Sequence, residues 1–254
     1  MTSPRRHLLI AGAAWIVLSV IAMALMAGVQ ILPEIASREA EIMDATFVLL
    51  TVAAMPILML VVVGLVYSAW RFRAGPGDLE DGPPIHGHIG FQSVWVGVSA
   101  LLVVGLFAYG AVGLVEIRGG TQADYRIEVQ AEQWKWHFIY PGDQHVESKE
   151  LHVPVGVRVE LDITSLDAIH SLWIPAFGIK QDAVPGRVTR IFVTVNEAGL
   201  YRGQCAELCG LGHTTMLFDT TAESEAELAD WLAHQPQEPP PPEGSPPEGT
   251  PPPP

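Results

Sequence analysis

The chain has 254 residues, of which 17% are charged, and a formal net charge of −14 at pH 7. This acidity argues against a nucleic-acid partner, because phosphate binding needs a basic surface, and suits a basic protein partner. The positive mean hydropathy, together with the low charge content, is unusual for a soluble protein and predicts membrane spans.

Three uncharged runs predict transmembrane helices over residues 8–32, 45–70 and 89–115. Each run exceeds the roughly 20 residues that cross a bilayer. The first run follows a cationic start and so also resembles a secretory signal peptide, but it is longer than the roughly 7–15-residue apolar core of such peptides. A retained helix is therefore favoured, and residues 1–118 are predicted to form a membrane anchor.

The arginines beside these runs predict the topology. Arg5 and Arg6 precede the first helix, and Arg71 and Arg73 follow the second. By the positive-inside rule the N-terminus and the 71–88 loop are cytoplasmic. Three crossings then place everything after the third helix outside a bacterial-type cell membrane. Removal of the first helix would leave this orientation unchanged.

Short alternating segments begin near Thr121 and predict an all-β domain over residues 119–234. Apolar residues change parity between Ala131 and Trp134, which predicts a bulge near residues 132–133 within one continuous strand. Further strands are expected over residues 157–163, 188–195 and 216–218.

The end of the chain shows two more patterns. Ser224 and Glu227 predict a capping box that opens a short helix ending near His234. Residues 235–254 are mostly Pro, Glu and Gly, and cannot bury apolar surface. They are predicted to form a disordered, polyproline-like tail.

One short loop contains both cysteines of the chain. Cys205 and Cys209 are followed closely by His213 and Met216. Two thiolates, an imidazole and a thioether are soft ligands that suit copper. A disulfide would close so short a loop that it would add little stability, and it would use neither His213 nor Met216. Zinc is the competing metal, but Met216 and the extracytoplasmic β-domain argue against it.

A further ligand must come from elsewhere, and His170 is favoured among the other eight histidines because it directly follows a strong strand. The alternative is a hydrogen-bonded loop histidine. The second thiolate allows both sulfurs to bridge two metal ions. The backbone carbonyl of Glu207 can supply one more ligand, which leaves its carboxylate free for a hard cation such as magnesium.

The loop pattern Cys-x-Glu-x-Cys-x-x-x-His-x-x-Met resembles that of subunit II of haem–copper cytochrome c oxidases. The stretches Gln133-Trp-Lys-Trp136, His170-Ser-Leu-Trp-Ile-Pro175 and Lys180-Gln-Asp-Ala-Val-Pro-Gly-Arg187 are also similar to that family. The resemblance covers roughly residues 45–234. It implies a cupredoxin-like Greek-key sandwich after the membrane helices.

The resemblance also implies a dinuclear copper centre of the CuA type. Its expected ligands are His170, Cys205, the Glu207 carbonyl, Cys209, His213 and Met216. The Glu207 side chain is expected to help bind magnesium at the interface with the haem-containing catalytic subunit.

Four other residues acquire expected roles from the resemblance alone. Trp134 matches an electron-entry tryptophan, Asp167 a residue near the donor docking surface, and Asp182 and Arg187 residues near the subunit interface. Without the resemblance, Trp134 would be interpreted as strand packing and Asp167 as a solvated turn residue or cap.

The implied function is to accept electrons from cytochrome c or a similar donor and to pass them through CuA to a haem that reduces dioxygen to water. The chain would act only as one subunit of that oxidoreductase complex, with no catalytic centre of its own. It has no Cys-x-x-Cys-His motif, so the donor is expected to be a separate protein.

Two features depart from the family. It usually has two transmembrane helices, whereas three are predicted here. Gln92 stands where many members carry a glutamate at a proton-channel entrance, and glutamine cannot titrate.

The alternative functions are a quinol oxidase subunit, which needs no copper, the CuA subunit of a haem–copper nitric-oxide reductase, and a membrane-tethered copper- or zinc-binding protein.

Overall fold

The computed structural model describes residues 4–28, 34–73, 75, 77, 87–118, 123–140 and 146–236. The chain forms two compact units, one from residues 1–31 and 45–113 and the other from residues 32–44 and 114–254. Nearly all of the predicted 235–254 tail and most of the 71–88 loop lie outside the described residues.

Of the four α-helices in the described residues, three are long and apolar enough to cross a membrane, as the sequence predicts. The helices are α1 (Pro4–Gly28), α2 (Arg38–Arg71), α3 (Ile89–Arg118) and α4 (Glu225–Ala233). In the first unit, α1 and α2 are joined by a hydrogen bond of 2.8 Å from the Trp15 indole N–H to the Pro56 carbonyl. The predicted capping box of α4 is present, since the Ser224 hydroxyl accepts from the Glu227 N–H.

Helix α2 begins at Arg38, although the apolar run predicts a start at residue 45. The Ser37 hydroxyl caps the helix by accepting a hydrogen bond of 3.0 Å from the Ala40 N–H. Glu39 and Glu41 lie in the first turn, where carboxylates interact favourably with the helix dipole. At about 50 Å, the helix is longer than a bilayer core, so hydropathy alone does not locate its start.

The second unit contains two five-stranded sheets. One has the strand order β3-β2-β1-β5-β8 and the other β4-β10-β9-β6-β7. The strands are β1 (Tyr125–Glu132), β2 (Lys135–Tyr140), β3 (Val146–Ser148), β4 (Leu151–Pro154), β5 (Arg158–Ser165), β6 (His170–Ile174), β7 (Ile179–Ala183), β8 (Thr189–Thr194), β9 (Gly199–Cys205) and β10 (Leu217–Glu223). The predicted cupredoxin-like sandwich, which follows three long apolar helices in the chain, is thereby confirmed.

The predicted bulge near residues 132–133 is wrong, because β1 and β2 are separate antiparallel strands joined by a tight turn at Gln133 and Trp134. The peptide bond between these two residues is cis. Ala131 pairs with Trp136 across the hairpin. Paired residues project to the same face of a sheet, so a turn of this length accounts for the change of parity without an extra residue in either strand.

The core lies between the two sheets. Ile127, Val129 and Ala131 are fully buried on β1, and Trp136 and Phe138 continue the same face on β2. The Trp136 ring meets the Phe218 ring of the opposite sheet edge-to-face, with ring centroids 5.7 Å apart. This aromatic packing lies directly beneath the end of the sandwich that contains the cysteines.

The residues just before α2 are part of this second unit, which was not predicted. The Ala36 N–H donates to the Ala176 carbonyl and the Asn196 N–H donates to the Ala36 carbonyl, both at 2.8 Å. Glu39, only 2% exposed, accepts from the Thr194 N–H at 2.9 Å. Residues 34–41 therefore form a strap on the β-sandwich; we call them the strap below.

Gly178 allows the strap to approach. Its φ is +63°, and a Cβ atom at this position would lie 2.8 Å from the Ala40 Cα. Gly178→Ala is expected to destabilise the β-sandwich by about 1–2 kcal/mol from the left-handed backbone and by about 1–3 kcal/mol more from the contact.

Gly156→Ala is the matched control, because Gly156 has a φ of +77° but open space around its Cβ position. Both variants would be unfolded with denaturant and followed by circular dichroism. Equal losses of stability in the two variants would show that the strap does not press on residue 178.

Candidate metal centre

The ligand loop (residues 205–216) connects β9 to β10 at one end of the sandwich. Its two ends are joined by a backbone hydrogen bond of 3.0 Å from the Cys205 N–H to the Met216 carbonyl. A short 3-10 helix at His213–Thr215 turns the chain back toward β10. The loop is therefore closed on itself, with Cys205 and Met216 side by side at its base.

His170 comes from β6, the strand adjacent to β9. Leu172 of β6 pairs with Cys205, and the Ala206 N–H donates to the Ser171 carbonyl at 2.9 Å. This pairing places His170 beside the loop, fully buried. Among the described residues, His170, Cys205 and Cys209 form the one group of histidine, cysteine and acidic side chains whose ligand atoms lie close enough to hold a metal ion.

The two cysteines are free thiols, both buried, and their Sγ atoms lie 3.8 Å apart. The Cys205 Sγ is 3.9 Å from the His170 Nδ1 and 3.3 Å from the Glu207 carbonyl oxygen. The Cys209 Sγ is 3.6 Å from the His213 Nδ1 and 3.9 Å from the Met216 Sδ. All six predicted ligands are thus brought together in two sets, each around one sulfur.

This donor set suits soft metal ions such as copper, and its six donors would be enough for two ions. A single tetrahedral zinc would use two sulfurs and two imidazoles, and would leave the Met216 thioether and the Glu207 carbonyl unused. Burial, together with the neighbouring Cys205 thiol, raises the pKa of Cys209 to about 11. Ionisation of the Cys209 thiol is therefore unfavourable without a nearby cation, which metal binding would provide.

The Trp134 side chain packs against the ligand loop and is 40% exposed to solvent. Its indole N–H donates to the Cys209 carbonyl at 3.3 Å, and the Gln133 side-chain amide donates to the same oxygen at 2.7 Å. A Cβ atom on Gly212 would lie 2.4 Å from the Trp134 ring, so only glycine allows the indole to pack here. A solvent-accessible aromatic ring thus contacts the backbone of a ligand residue.

Asp167 contacts the site through both carboxylate oxygens. Oδ1 accepts from the His170 Nε2 at 2.9 Å, and Oδ2 accepts from the Gln133 N–H at 2.8 Å. Burial alone would raise the pKa of Asp167, but the hydrogen bonds from His170 and from the Ala168 and Gln133 N–H groups outweigh it and lower the pKa below its usual value.

The remaining predicted residues lie outside the ligand set. Asp182, on the edge strand β7, is half exposed and accepts from the Ser171 hydroxyl at 2.8 Å. Arg187 is exposed in the turn before β8, and its N–H donates to the Val184 carbonyl. The Glu207 residue is exposed although its carbonyl faces Cys205. Their interface and magnesium roles stay predictions.

Sequence reasoning missed Gln133 and Gly212 as parts of the site. Gln133 is the first residue of the stretch Gln133–Trp136 that resembles the family. The sequence therefore drew attention to its position but gave no sign that its side chain contacts the Cys209 carbonyl. The requirement for glycine at residue 212 arises from a ring 78 positions earlier in the chain, which no local pattern reveals.

Comparisons with known proteins point to one protein family. Residues 143–222 match the family model described as the periplasmic domain of cytochrome c oxidase subunit II. The chain is 28% identical to cytochrome c oxidase subunit 2 of Thermostichus vulcanus, over 79% of this chain and 77% of that protein. It is also 28% identical to the subunit 2 of a Synechocystis strain, over 80% and 75%.

Among solved structures, the chain is similar to the periplasmic domain of subunit II of cytochrome oxidase from Bradyrhizobium japonicum. The two share 31% identity, with a TM-score of 0.42, over 44% of this chain and 93% of that one.

Two substitutions separate the backbone and side-chain roles in the ligand loop. Glu207→Gln keeps the carbonyl that faces Cys205, so copper should bind as in the wild type, whereas Cys209→Ser removes a sulfur that contacts both His213 and Met216. Copper content after dialysis, measured by elemental analysis, should be unchanged in the first variant and lost in the second. Loss of copper from Glu207→Gln would show that the carboxylate, not the carbonyl, is a ligand.

Proposed function

Because the chain belongs to the cytochrome c oxidase subunit II family, we propose that it is the electron-accepting subunit of a respiratory terminal oxidase. It takes electrons from cytochrome c or a similar external donor at a dinuclear copper centre. It passes them to haem in the catalytic subunit, which reduces dioxygen to water. The observation that carries this proposal is a pair of buried cysteines that form no disulfide. Their sulfurs lie 3.8 Å apart, and each sulfur has one imidazole beside it.

The chain's residues suit a redox centre whose ligands move little when it gains or loses an electron. A dinuclear copper centre, when bound, supplies one-electron transfer in which the charge is shared by two ions. His170, Cys205, Cys209 and Met216 are all less than 7% exposed, so these four side chains are shielded from water, whereas His213 is half-buried. The ligands lie on two strands and a closed loop, which limits their movement.

Electron entry is proposed at Trp134. The indole is partly exposed to solvent, and its N–H donates a hydrogen bond to the Cys209 carbonyl. A donor protein that touches the ring would therefore be separated from the Cys209 sulfur only by Trp134 and this hydrogen bond. Asp167 lies next to this surface, and its charge, with the net charge of −14, would attract a basic donor. Both of its oxygens already accept hydrogen bonds, so this attraction is proposed to act at a distance and not through a direct ion pair.

Electron exit is proposed on the side of Glu207, Asp182 and Arg187. The exposed Glu207 residue can offer its carboxylate to magnesium at the catalytic subunit while its carbonyl stays with Cys205. Asp182 is bonded to Ser171, the neighbour of His170, and can transmit contact with a partner subunit to that strand. Other oxidase subunits complete the proposed complex, and the arginines beside the apolar helices support an extracytoplasmic position for the β-sandwich.

Electron paramagnetic resonance of the copper-loaded full chain tests the proposal. One unpaired electron shared by two copper nuclei is expected to give more hyperfine lines than an electron on a single copper, with two coppers bound per chain. A single-copper spectrum, or tightly held zinc with no signal, would refute the dinuclear centre and favour a copper- or zinc-binding protein of another kind.

The role of Trp134 is tested by Trp134→Leu. Reduction of the copper centre by cytochrome c, followed by stopped-flow absorption, should be slower by about tenfold or more, equivalent to ~1.4 kcal/mol in activation free energy. The copper spectrum should stay as in the wild type. Gly212→Ala, whose Cβ would displace the indole, should slow reduction in the same direction.

Leu200→Ala is the control for a general loss of apolar surface, because Leu200 is 73% exposed and lies at the other end of β9. Its reduction rate should be unchanged. Wild-type kinetics in Trp134→Leu would rule out electron entry through this ring.

A further inference from the structure

Asp167 makes hydrogen bonds that a residue used only for donor docking does not need. Its carboxylate is shared between the Nε2 of His170, at 2.9 Å, and the backbone N–H of Gln133, at 2.8 Å. The first partner is a candidate copper ligand on β6, and the second precedes Trp134 in the turn between β1 and β2. One side chain thus joins a ligand to the turn that presents the exposed indole.

The bond to His170 determines which nitrogen can bind metal. The Asp167 carboxylate can only accept a hydrogen bond, so the neutral His170 imidazole carries its proton on Nε2 and leaves the Nδ1 lone pair free. Nδ1 is the atom that faces the Cys205 Sγ, at 3.9 Å. The His170 ring also packs edge-to-face against Trp136, with ring centroids 6.2 Å apart. This packing fixes the orientation of the ring, while the hydrogen bond to Asp167 fixes its tautomer.

The position of the carboxylate is itself fixed. The Ala168 N–H donates to Oδ1 at 2.6 Å, and the Gln133 N–H donates to Oδ2. The Gln133 side chain then reaches the Cys209 carbonyl at 2.7 Å. Residues 133 and 167 together connect one histidine ligand to the backbone of a cysteine ligand without passing through the metal position.

We propose that Asp167 is a positioning residue of the metal centre, which fixes the tautomer and orientation of His170 and ties them to the turn at Gln133 and Trp134. The proposal rests on the proposed function in so far as His170 is a copper ligand. A carboxylate that accepts from a ligating imidazole also makes that ligand more basic, which stabilises the oxidised metal. Docking by charge alone would require none of these contacts.

The test compares Asp167→Ala and Asp167→Asn with the control Asp124→Asn in the full chain in detergent. Asp124 is exposed just before β1, whereas Gln133 follows the far end of that strand, so the control removes the same charge away from the site. An asparagine oxygen can still accept from His170 Nε2–H, whereas alanine cannot.

The first readout needs no copper. Nitrogen-15 resonance of labelled histidine should show His170 as the Nε2-protonated tautomer in the wild type and as a mixture of tautomers in Asp167→Ala. The second readout is copper: Asp167→Ala should bind it about 10–100-fold more weakly, with an altered absorption spectrum and a raised reduction potential. Asp167→Asn should show a smaller rise in potential, because a neutral acceptor forms a weaker hydrogen bond.

Wild-type tautomer, affinity and potential in both Asp167 variants, with slower reduction by the donor, would overturn the proposal and leave docking as the role of Asp167. Asp124→Asn should match the wild type in every readout, and equal effects in the control would also overturn the proposal. If Asp167→Ala does not fold, as judged by circular dichroism, the potential of Asp167→Asn decides. Failure of the wild type to bind copper would refute the proposed function, while the tautomer measurement would still test Asp167.

Discussion

The metal centre depends on how the ligand loop is closed. The Cys205 N–H bonds to the Met216 carbonyl, and the Ala206 N–H bonds to Ser171 on the neighbouring strand. The first bond brings the two ends of the loop together, and the second holds the loop beside β6, which begins with His170. The ligands are therefore arranged by the backbone of the sandwich, and the side chains need only complete an existing geometry. Preorganisation of this kind reduces the ordering cost of binding a metal.

Around that loop, the structure provides contacts from two further segments. Trp134 and Gln133 both donate to the Cys209 carbonyl, and Asp167 connects the Gln133 backbone to His170. The residue expected to receive electrons and the residues expected to hold copper thus belong to one hydrogen-bond network. A ligand set without these outer contacts would have less control over ring orientation, since supporting hydrogen bonds tune and orient metal ligands.

Much of this organisation was predictable because the signals are local. Uncharged runs identify α1 to α3, the capping box identifies α4, and the spacing of Cys205, Cys209, His213 and Met216 identifies the loop. The hairpin at residues 133–134 was misinterpreted because a parity change fits both a bulge and a tight turn. The contacts of Asp167 and Gly212 were not predictable, since each depends on a partner brought close by sheet pairing rather than by sequence spacing.

The strap also has a consequence for the order of folding. Ser37 bonds to Phe177, 140 residues later, and Glu39 bonds to Thr194, 155 residues later. The strap is synthesised early, yet its partners leave the ribosome only after α2 and α3 have been made. Contacts at such sequence separation form slowly, because the intervening chain must be ordered first. The strap is thus the part of the β-sandwich that is translated first, and it can dock only after Phe177 and Thr194 have left the ribosome.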